Sequence, residues 1–323
     1  MKKVYIGIDI SKNTFDIAFK SQNKMNIRVF DNSIKGFRQF LKIIPPEGHC
    51  VMEATGPYYL KLAAFLFKHK LSVSVRNPLI IKRFMQMVLQ RTKTDKMDAK
   101  TISEYGEKMD PPLWTPPEEW ILSLQQKQTA VEMLDKQIQM LKNQIEAFSC
   151  SIVKDKSTIK SLETAVRNLK KVKGKIETEA ECILKENNNE MYQNLLSISS
   201  LGPKAVSHLI TITHGFKKFE TCKQLQAYVG FCPRIFRSGT SVRGRGAICK
   251  MGMSRLRKIL YMCSLTAVKY NPQCKELYDR LVNAGKAKKL ALVAVANKLL
   301  RQAFKIAKSG TKYDKNYSFA LAK

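Results

Sequence analysis

The chain has 323 residues, and its 57 lysines and arginines outnumber 26 aspartates and glutamates, which gives a formal net charge of +31. Hydrophobic residues make up 44% of the sequence, enough to bury real cores, and this excludes a disordered basic tail protein. Charge of this sign and size predicts a polyanionic partner, of which nucleic acid is the commonest. The apolar runs are too short to span a membrane, and the N-terminus lacks the apolar stretch of a secretory signal.

The cysteines and histidines give no sign of a zinc site. Eight cysteines are scattered without a C-x-x-C pair, and the four histidines are not spaced as metal ligands. Scattered thiols in a chain of this size are typical of a reducing cytoplasm rather than of a disulfide scaffold. We therefore expect a cytoplasmic protein without a membrane partner.

Residues 1–112 are predicted to form an α/β domain. β-branched runs predict five strands, VYIGIDI, FDIAFK, NIRVFDN, HCVMEATG and LSVSVRNP. Helical periodicity follows the fourth strand in YYLKLAAFLFKHK and the fifth in LIIKRFMQMVLQ. Three strands in a meander followed by alternating helices and strands describe a ribonuclease-H-like mixed sheet. A Rossmann sheet would need a crossover helix after the first strand and a glycine fingerprint, and both are missing.

Residues 113–190 are predicted to form a coiled coil after the proline-rich break DPPLWTPPEEW. Apolar residues fill a heptad a position seven times in succession, at Leu124, Val131, Ile138, Ile145, Ile152, Ile159 and Val166. Asp155 occupies a d position, so the seam is expected to bend near SIVKDKST. An unbroken helix from Leu124 to Ile183 would be about 90 Å long. The pattern is compatible with a hairpin within one chain and with a seam between two chains.

Residues 191–323 are predicted to form a mainly helical domain. LLSISSLGPKAVSHLI reads as two helices joined at Gly202 and Pro203, and it resembles the helix-hairpin-helix that holds the DNA backbone. Ser200 stands where that motif usually has its first glycine, and a simple core hairpin is the alternative. A glycine-rich basic loop follows, in PRIFRSGTSVRGRGAICKMG, and leads into a helix that begins near Arg255.

Four carboxylates are placed to form one metal site. Asp9 ends the first predicted strand, Glu53 ends the fourth, and Asp95 and Asp98 lie on one face at the start of a helix. Gly7 is expected to leave open space above the sheet beside Asp9. Converging carboxylate oxygens suit Mg²⁺ or Mn²⁺, and two such ions can cleave a phosphodiester. Any single aspartate can instead be a turn or cap residue, and Asp16 and Asp31 are interpreted in that way.

Several motifs in sequence order resemble those of the insertion-sequence transposases with a DEDD catalytic domain. They are GIDISKNTFDIA, MEATGPY, KTDKMDA, LLSISSLGPKA, AYVGFCPRIFRSGTSVRG and ICKMGMSRLRKIL. Relatives of this family include the Piv-type DNA invertases, and some members are bridge-RNA-guided recombinases. The resemblance covers nearly the whole chain. It implies a domain like a Holliday-junction resolvase, a coiled coil and a C-terminal transposase domain.

The resemblance also implies roles for particular residues and partners. Asp9, Glu53, Asp95 and Asp98 would bind the metal, and Ser238 would be the nucleophile, with Ser241 as its competitor. The implied partners are donor and target DNA, an element-encoded guide RNA and further copies of the chain in a dimer or tetramer, at the nucleoid of a bacterial cell. Further residues are expected to contact nucleic acid, namely Lys93, Lys96, Gly202, Lys204, Arg237, Ser241, Arg243, Arg245, Lys250, Arg255 and Arg257.

The sequence thus predicts a recombinase that cuts and rejoins DNA to move its own insertion sequence. One enzymatic alternative is a metal-dependent nuclease or junction resolvase, in which water is the nucleophile and the serine loop only binds. A non-enzymatic alternative is a DNA-bridging architectural protein whose acids have no catalytic role.

Overall fold

The computed structural model describes residues 3–21, 24–90, 94–234, 237–238, 242–243, 247–249 and 251–315. The chain divides into two compact units, Met1–Pro116 and Pro117–Lys323. The first is an α/β unit with a mixed sheet, and the second is mostly helical.

The first unit is built on a five-stranded sheet in the order β3-β2-β1-β4-β5. The strands are β1 Val4–Ile10, β2 Thr14–Ser21, β3 Lys24–Asp31, β4 Gly48–Glu53 and β5 Ser72–Arg76. β1, β2 and β3 form the expected antiparallel meander, while β4 runs parallel to both β1 and β5. All five strands were predicted, and so was the meander.

Four helices flank this sheet, α1 Ile34–Leu41, α2 Tyr59–Lys68, α3 Pro78–Met87 and α4 Asp95–Met109. On one face, Phe37 and Phe40 of α1 and Leu62 of α2 pack with the isoleucines of β1. On the other face, Ile81 of α3 and Ile102 of α4 pack against Val51. The sequence had not predicted α1, which lies in the connection that carries the chain across from β3 to β4.

The second unit begins with two long helices, α5 Glu119–Ser149 and α6 Lys156–Leu196. They are antiparallel, since Lys127 pairs with Glu179 whereas Asp135, further along α5, pairs with the earlier residue Lys173. The expected bend is present between the two helices, where the side chain of Ile152 is fully exposed. The helix is therefore not continuous over 90 Å, and within one chain the heptad residues form a hairpin.

Five more helices complete the second unit, α7 Pro203–Thr213, α8 Cys222–Val229, α9 Ser254–Tyr270, α10 Pro272–Asn283 and α11 Lys288–Ser309. Between α8 and α9 lie four two-residue strands, β6 Pro233–Arg234, β7 Arg237–Ser238, β8 Val242–Arg243 and β9 Ala247–Ile248. β6 pairs with β9 and β7 with β8, so the basic loop contains two nested antiparallel pairs. Across the described ranges, no helix has the length and apolarity that crossing a membrane requires.

Candidate active site and nucleic-acid interface

Asp9 and Glu53 lie side by side at the carboxyl ends of two neighbouring strands, β1 and β4. β1 and β4 are parallel, with Ile8 opposite Met52, so the next residue on each strand is one of the two acids. The carboxyl ends of parallel strands meet at one sheet edge, which brings both side chains to the same place. Thr55 donates a hydrogen bond from Oγ1 to Glu53 Oε1 at 3.3 Å.

Helix α4 brings Asp95 and Asp98 to this edge. Thr94 is the N-cap, and its hydroxyl accepts from the amide of Met97 at 3.3 Å, so Asp95 is a first-turn residue rather than the cap. Acidic residues in a first turn interact favourably with the helix dipole. Asp98 is buried, and its Oδ1 accepts from Gln90 Nε2 at 3.0 Å.

The space above Gly7 is filled, contrary to the sequence-based expectation. A Cβ atom on Gly7 would lie 2.0 Å from the carbonyl oxygen of Ala99 and 2.2 Å from the amide nitrogen of Ser103. Gly7 therefore serves the close approach of α4 to β1 rather than leaving room for a ligand. This approach is what places Asp98 near Asp9.

All four predicted acids line one cavity of about 750 Å³. Asp16 lines the same cavity and faces Asp9 across the β1–β2 ladder. The interpretation of Asp16 as a simple turn residue is therefore wrong. Its place in an alternating strand, FDIAFK, was the available signal, because Asp16 shares a sheet face with neither Phe15 nor Ile17. Lys12 and Lys82 also line the cavity and supply positive charge.

The pKa of Asp9 is raised to about 6 from its ordinary 3.8. Burial is the largest cause, followed by repulsion from Asp98, Asp95, Glu53 and Asp16. The pKa of Asp16 is also raised, first by burial and then by Asp95, while Lys96 acts in the opposite direction. Asp9 and Asp16 are therefore harder to ionise than free carboxyl groups, and a bound cation would favour their charged forms.

The donor chemistry of this cavity fits a hard divalent cation, because the acids supply only carboxylate oxygens. Their side chains are not arranged as a ready ligand set. Within the described part of the chain, no three acidic, histidine or cysteine residues are positioned to hold a metal ion. Binding of an ion by Asp9, Glu53, Asp95 and Asp98 would therefore involve rotation of their side chains.

The predicted hairpin lies between α6 and α7. Gly202 is the N-cap of α7 and Pro203 its first residue, and a Cβ atom on Gly202 would meet nothing within 4 Å. Ser200 has a φ of 100°, a left-handed conformation that favours glycine. Lys204 pairs with Asp135 of α5 at 3.0 Å and is half exposed.

The basic loop is described in part. Ser238 is the last residue of β7 and pairs through its backbone with Val242, and Arg237 pairs likewise with Arg243. The side chains of these residues are outside the described part of the structure. So are the predicted residues Lys93, Ser241, Arg245 and Lys250.

Two predicted nucleic-acid contacts have partners inside the protein. Arg255 forms an ion pair with Glu132 and donates from Nη2 to the carbonyl of Gln128 at 3.1 Å. Arg257 donates from Nη1 to the carbonyl of Val229 at 2.7 Å. These contacts hold the start of α9 in place. Binding of nucleic acid by Arg255 or Arg257 stays a prediction. Lys96 is exposed in the first turn of α4.

Comparison with known proteins decides the family. A DEDD transposase profile matches residues 6–149, and the profile described as the transposase IS116/IS110/IS902 family matches residues 192–279. Pilin gene-inverting proteins of Moraxella bovis and Moraxella lacunata are 30% identical to the chain over 324 residues, covering 98% of this chain and 99% of each relative. The chain belongs to the IS116/IS110/IS902 transposase family. The resemblance seen in its motifs is thereby confirmed.

The two profiles cover different candidate residues of this IS110-family transposase. The first spans Asp9, Glu53, Asp95 and Asp98, and the second spans the hairpin, Ser238 and the start of α9. An uncharacterized 43.6 kDa protein of the insertion element IS110 from Streptomyces coelicolor is 26% identical over 120 residues, which is 37% of this chain and 29% of that protein. The transposase is a DNA recombinase, and DNA is its substrate.

Proposed function

We propose that this transposase moves its own insertion sequence by cutting and rejoining DNA strands, with its acids as the metal-binding centre. The observation that carries the proposal is the shared cavity, in which Asp9, Glu53, Asp95 and Asp98 come from β1, β4 and α4. The sheet order, with its antiparallel meander and two added parallel strands, supports a ribonuclease-H-like fold for this unit.

The acids would hold Mg²⁺ or Mn²⁺. Such an ion, when bound, stabilises the charge that develops on the oxygens of a reacting phosphate. The chain's own part is to bury the carboxylates and hold them together. The raised pKa of Asp9 reflects its burial first and repulsion from the neighbouring acids second. Gln90 orients Asp98 and Thr55 orients Glu53 through the hydrogen bonds already described.

Ser238 is the proposed nucleophile. Its Oγ would lose a proton and attack a phosphorus atom of the DNA, and a sugar oxygen would leave as a hydroxyl after taking up a proton. A hydroxyl of a second DNA end would then attack the same phosphorus and release the serine. One phosphodiester is exchanged for another, so the sequence of steps needs no energy source. Support comes from the match of the second profile around Ser238, with Ser241 as the alternative.

Further parts of the proposal concern organisation and partners. We infer three working regions, a catalytic domain at 1–112, a coiled-coil segment at 113–190 and a transposase domain at 191–323. An element-encoded RNA would guide the protein to its target, and two or four copies would assemble through the helical segment. Action on chromosomal DNA would place the assembly at the bacterial nucleoid in the cytoplasm. The net charge of +31 supports simultaneous binding of RNA and DNA.

A second candidate reaction is inversion of a DNA segment. It is favoured by the full-length similarity to the two pilin gene-inverting proteins. The chemistry at the serine would be the same, and only the arrangement of the two recombining sites would differ. A plasmid that carries the sites in inverted orientation would report inversion, and two separate plasmids would report transposition.

The test of the acid centre is recombination between donor and target plasmids in cells that express single variants. Asp9→Asn, Glu53→Gln, Asp95→Asn and Asp98→Asn are each expected to reduce recombination at least about a thousandfold. Asp31→Asn is the matched control, because Asp31 is exposed and lies outside the cavity. Full recombination by Asp9→Asn would overturn the proposal and leave the architectural alternative.

A further inference from the structure

The helices at the end of the chain are depleted of negative charge. α8, α9 and α11, all fully described, contain no aspartate or glutamate. α11 alone carries six basic residues, Lys288, Lys289, Lys298, Arg301, Lys305 and Lys308. It begins after residue 279, where the second family profile ends, so that profile assigns no role to this helix.

The basic residues of the last turns of α11 share one face. Lys298, Arg301, Lys305 and Lys308 are spaced by three, four and three residues, which places them in a single row that we call the α11 stripe. The opposite face, which includes Ala296, Leu299 and Ala303, is buried in the core of the second unit. Arg301 and Lys308 are exposed, and Lys298 is half-buried.

The surface beside the α11 stripe has the same charge. α8 packs along α11 through a hydrogen bond of 2.7 Å from Gln226 Nε2 to Asn297 Oδ1. Burial raises the pKa of the Cys222 thiol in α8, and the nearby charge of Arg301 acts in the opposite direction. Lys223 follows Cys222 in α8 and adds to the positive charge. α10, on another side of α11, carries both signs of charge. Positive charge therefore accumulates on the side that faces α8, whereas α6, which also packs on α11, brings Glu190 to the end of the helix at Gly310.

The dimensions of the α11 stripe suit the backbone of a duplex. Ten residues of helix separate Lys298 from Lys308, which is about 15 Å at 1.5 Å per residue. One strand of duplex DNA presents a phosphate about every 3.4 Å along its axis, so the row would span about four phosphates. The aromatic side chain beside the stripe, Phe304, packs edge-on against Phe216 and has Lys308 over its ring at 5.6 Å from the centroid. It is therefore not open to stack with an unpaired base, the usual feature of single-strand sites.

We propose that the α11 stripe binds the phosphate backbone of double-stranded DNA without reading its sequence. This proposal rests on the proposed function only in taking DNA as the substrate. It does not depend on the metal or on Ser238. Lys and Arg contacts to phosphate release counterions, so the site would contribute to affinity and to its salt dependence but not to target choice.

The experiment measures binding of the full-length protein to a fluorescent 30-base-pair duplex of arbitrary sequence over a range of salt concentrations. The test variant is Lys298→Gln/Arg301→Gln/Lys308→Gln. Its matched control is Lys35→Gln/Arg38→Gln/Lys42→Gln, which removes two exposed lysines and one exposed arginine from α1 and its C-cap in the other unit. A third variant, Lys298→Arg/Arg301→Lys/Lys308→Arg, keeps all three charges.

The test variant is expected to bind the duplex at least about tenfold more weakly in low salt. The slope of log affinity against log salt should fall by about 0.9 for each lost phosphate contact, or by two to three in all. The control and the charge-preserving variant should keep the parent slope. The same titrations are made with single-stranded DNA of equal length and with a folded RNA. Equal slopes for test and control variants on the duplex would overturn the proposal, as would a loss of affinity confined to the single strand or to the RNA. Asp9→Asn should bind the duplex as tightly as the parent protein does. DNA binding by the α11 stripe can therefore be tested even if the proposed role of Asp9 in catalysis is wrong.

Discussion

The backbone of α4 at Ala99 lies directly against Gly7 of β1, so close that a Cβ atom on Gly7 would be 2.0 Å from the Ala99 carbonyl oxygen. Ser103, one turn further along α4, donates a hydrogen bond from Oγ to the carbonyl of Tyr5 at 2.8 Å. Asp98 directly precedes Ala99, and Asp9 lies two residues after Gly7. The contact between helix and strand therefore sets the distance between two of the acids.

Gly7→Ala should destabilise the first unit by about 2–4 kcal/mol, because α4 would have to move away from the strand. Recombination should be lost with it, since Asp98 would move as well. Gly174→Ala is the control, because a Cβ atom there meets nothing within 4 Å. Alanine favours the helical conformation of α6 over glycine, so this variant should raise the free energy of unfolding by about 0.5–1 kcal/mol. Urea unfolding measures both, and an unchanged midpoint for Gly7→Ala would contradict the close approach.

Asp9→Asn should stabilise the protein at neutral pH in the absence of divalent cations. The folded-state pKa of Asp9, about 6, is above the ordinary 3.8, so the folded state retains a proton that the unfolded state loses as pH rises from about 4 to 6. Stability therefore declines through that window and then stays level. Two pKa units correspond to about 3 kcal/mol, which partial exposure of Asp9 reduces to about 1–2 kcal/mol.

Thermal unfolding at pH 4 and pH 7.5 measures this difference between the parent protein and Asp9→Asn. Asp9→Asn should have a higher melting temperature than the parent protein at pH 7.5 and nearly the same melting temperature at pH 4. Mg²⁺ should raise the melting temperature of the parent more than that of the variant, because the ion would offset the cost of burying an ionised Asp9 beside the other acids. A variant that is less stable than the parent at pH 7.5 would show that the carboxylates do not repel one another.

Ser200→Gly should stabilise the second unit by about 1–2 kcal/mol. Ser200 has a φ of 100°, and its buried Oγ has no hydrogen-bond partner among the described residues. Ser200→Ala separates the two causes, since it removes the hydroxyl but keeps the Cβ atom in the unfavourable conformation. Glycine should therefore exceed alanine in melting temperature, and the reverse order would argue against backbone strain at this turn.

Glu132→Gln should destabilise the second unit by about 1–2 kcal/mol. It removes the anionic partner of Arg255, which is partly buried and also bonds to the Gln128 carbonyl. Glu146→Gln on the same helix serves as the control, because Glu146 is exposed. Chemical denaturation gives both values, and equal midpoints for the two variants would mean that the ion pair does not help to fix the start of α9.

Local sequence patterns predicted the sheet and most of the acid centre, because strand ends and helix starts are marked by residue type. Asp16 was missed since its place beside Asp9 depends on the pairing of β1 with β2, a relationship that no local pattern states. Gly7 was misinterpreted for a similar reason. Its free space is taken by α4, which lies about ninety residues later in the chain.

Helix α1 and the nested strands of the basic loop were also missed. α1 has a clear start, with Ser33 as its N-cap, but its eight residues show too few turns for periodicity to stand out. The heptad pattern correctly predicted helices in the middle of the chain and a bend near Asp155. It left open whether the partner helix was in the same chain, because both arrangements bury the same residues.

Mapping the covalent protein–DNA link tests the central claim most directly. Purified transposase, the element-encoded RNA proposed to guide it, and donor and target DNA would be combined with Mg²⁺, denatured and digested with protease. Any peptide left on the DNA would be sequenced by mass spectrometry. A peptide joined to DNA through Ser238 is expected, and it should be absent with Ser238→Ala and with Asp9→Asn. DNA that is cut without any attached peptide would contradict the account and identify a nuclease that uses water.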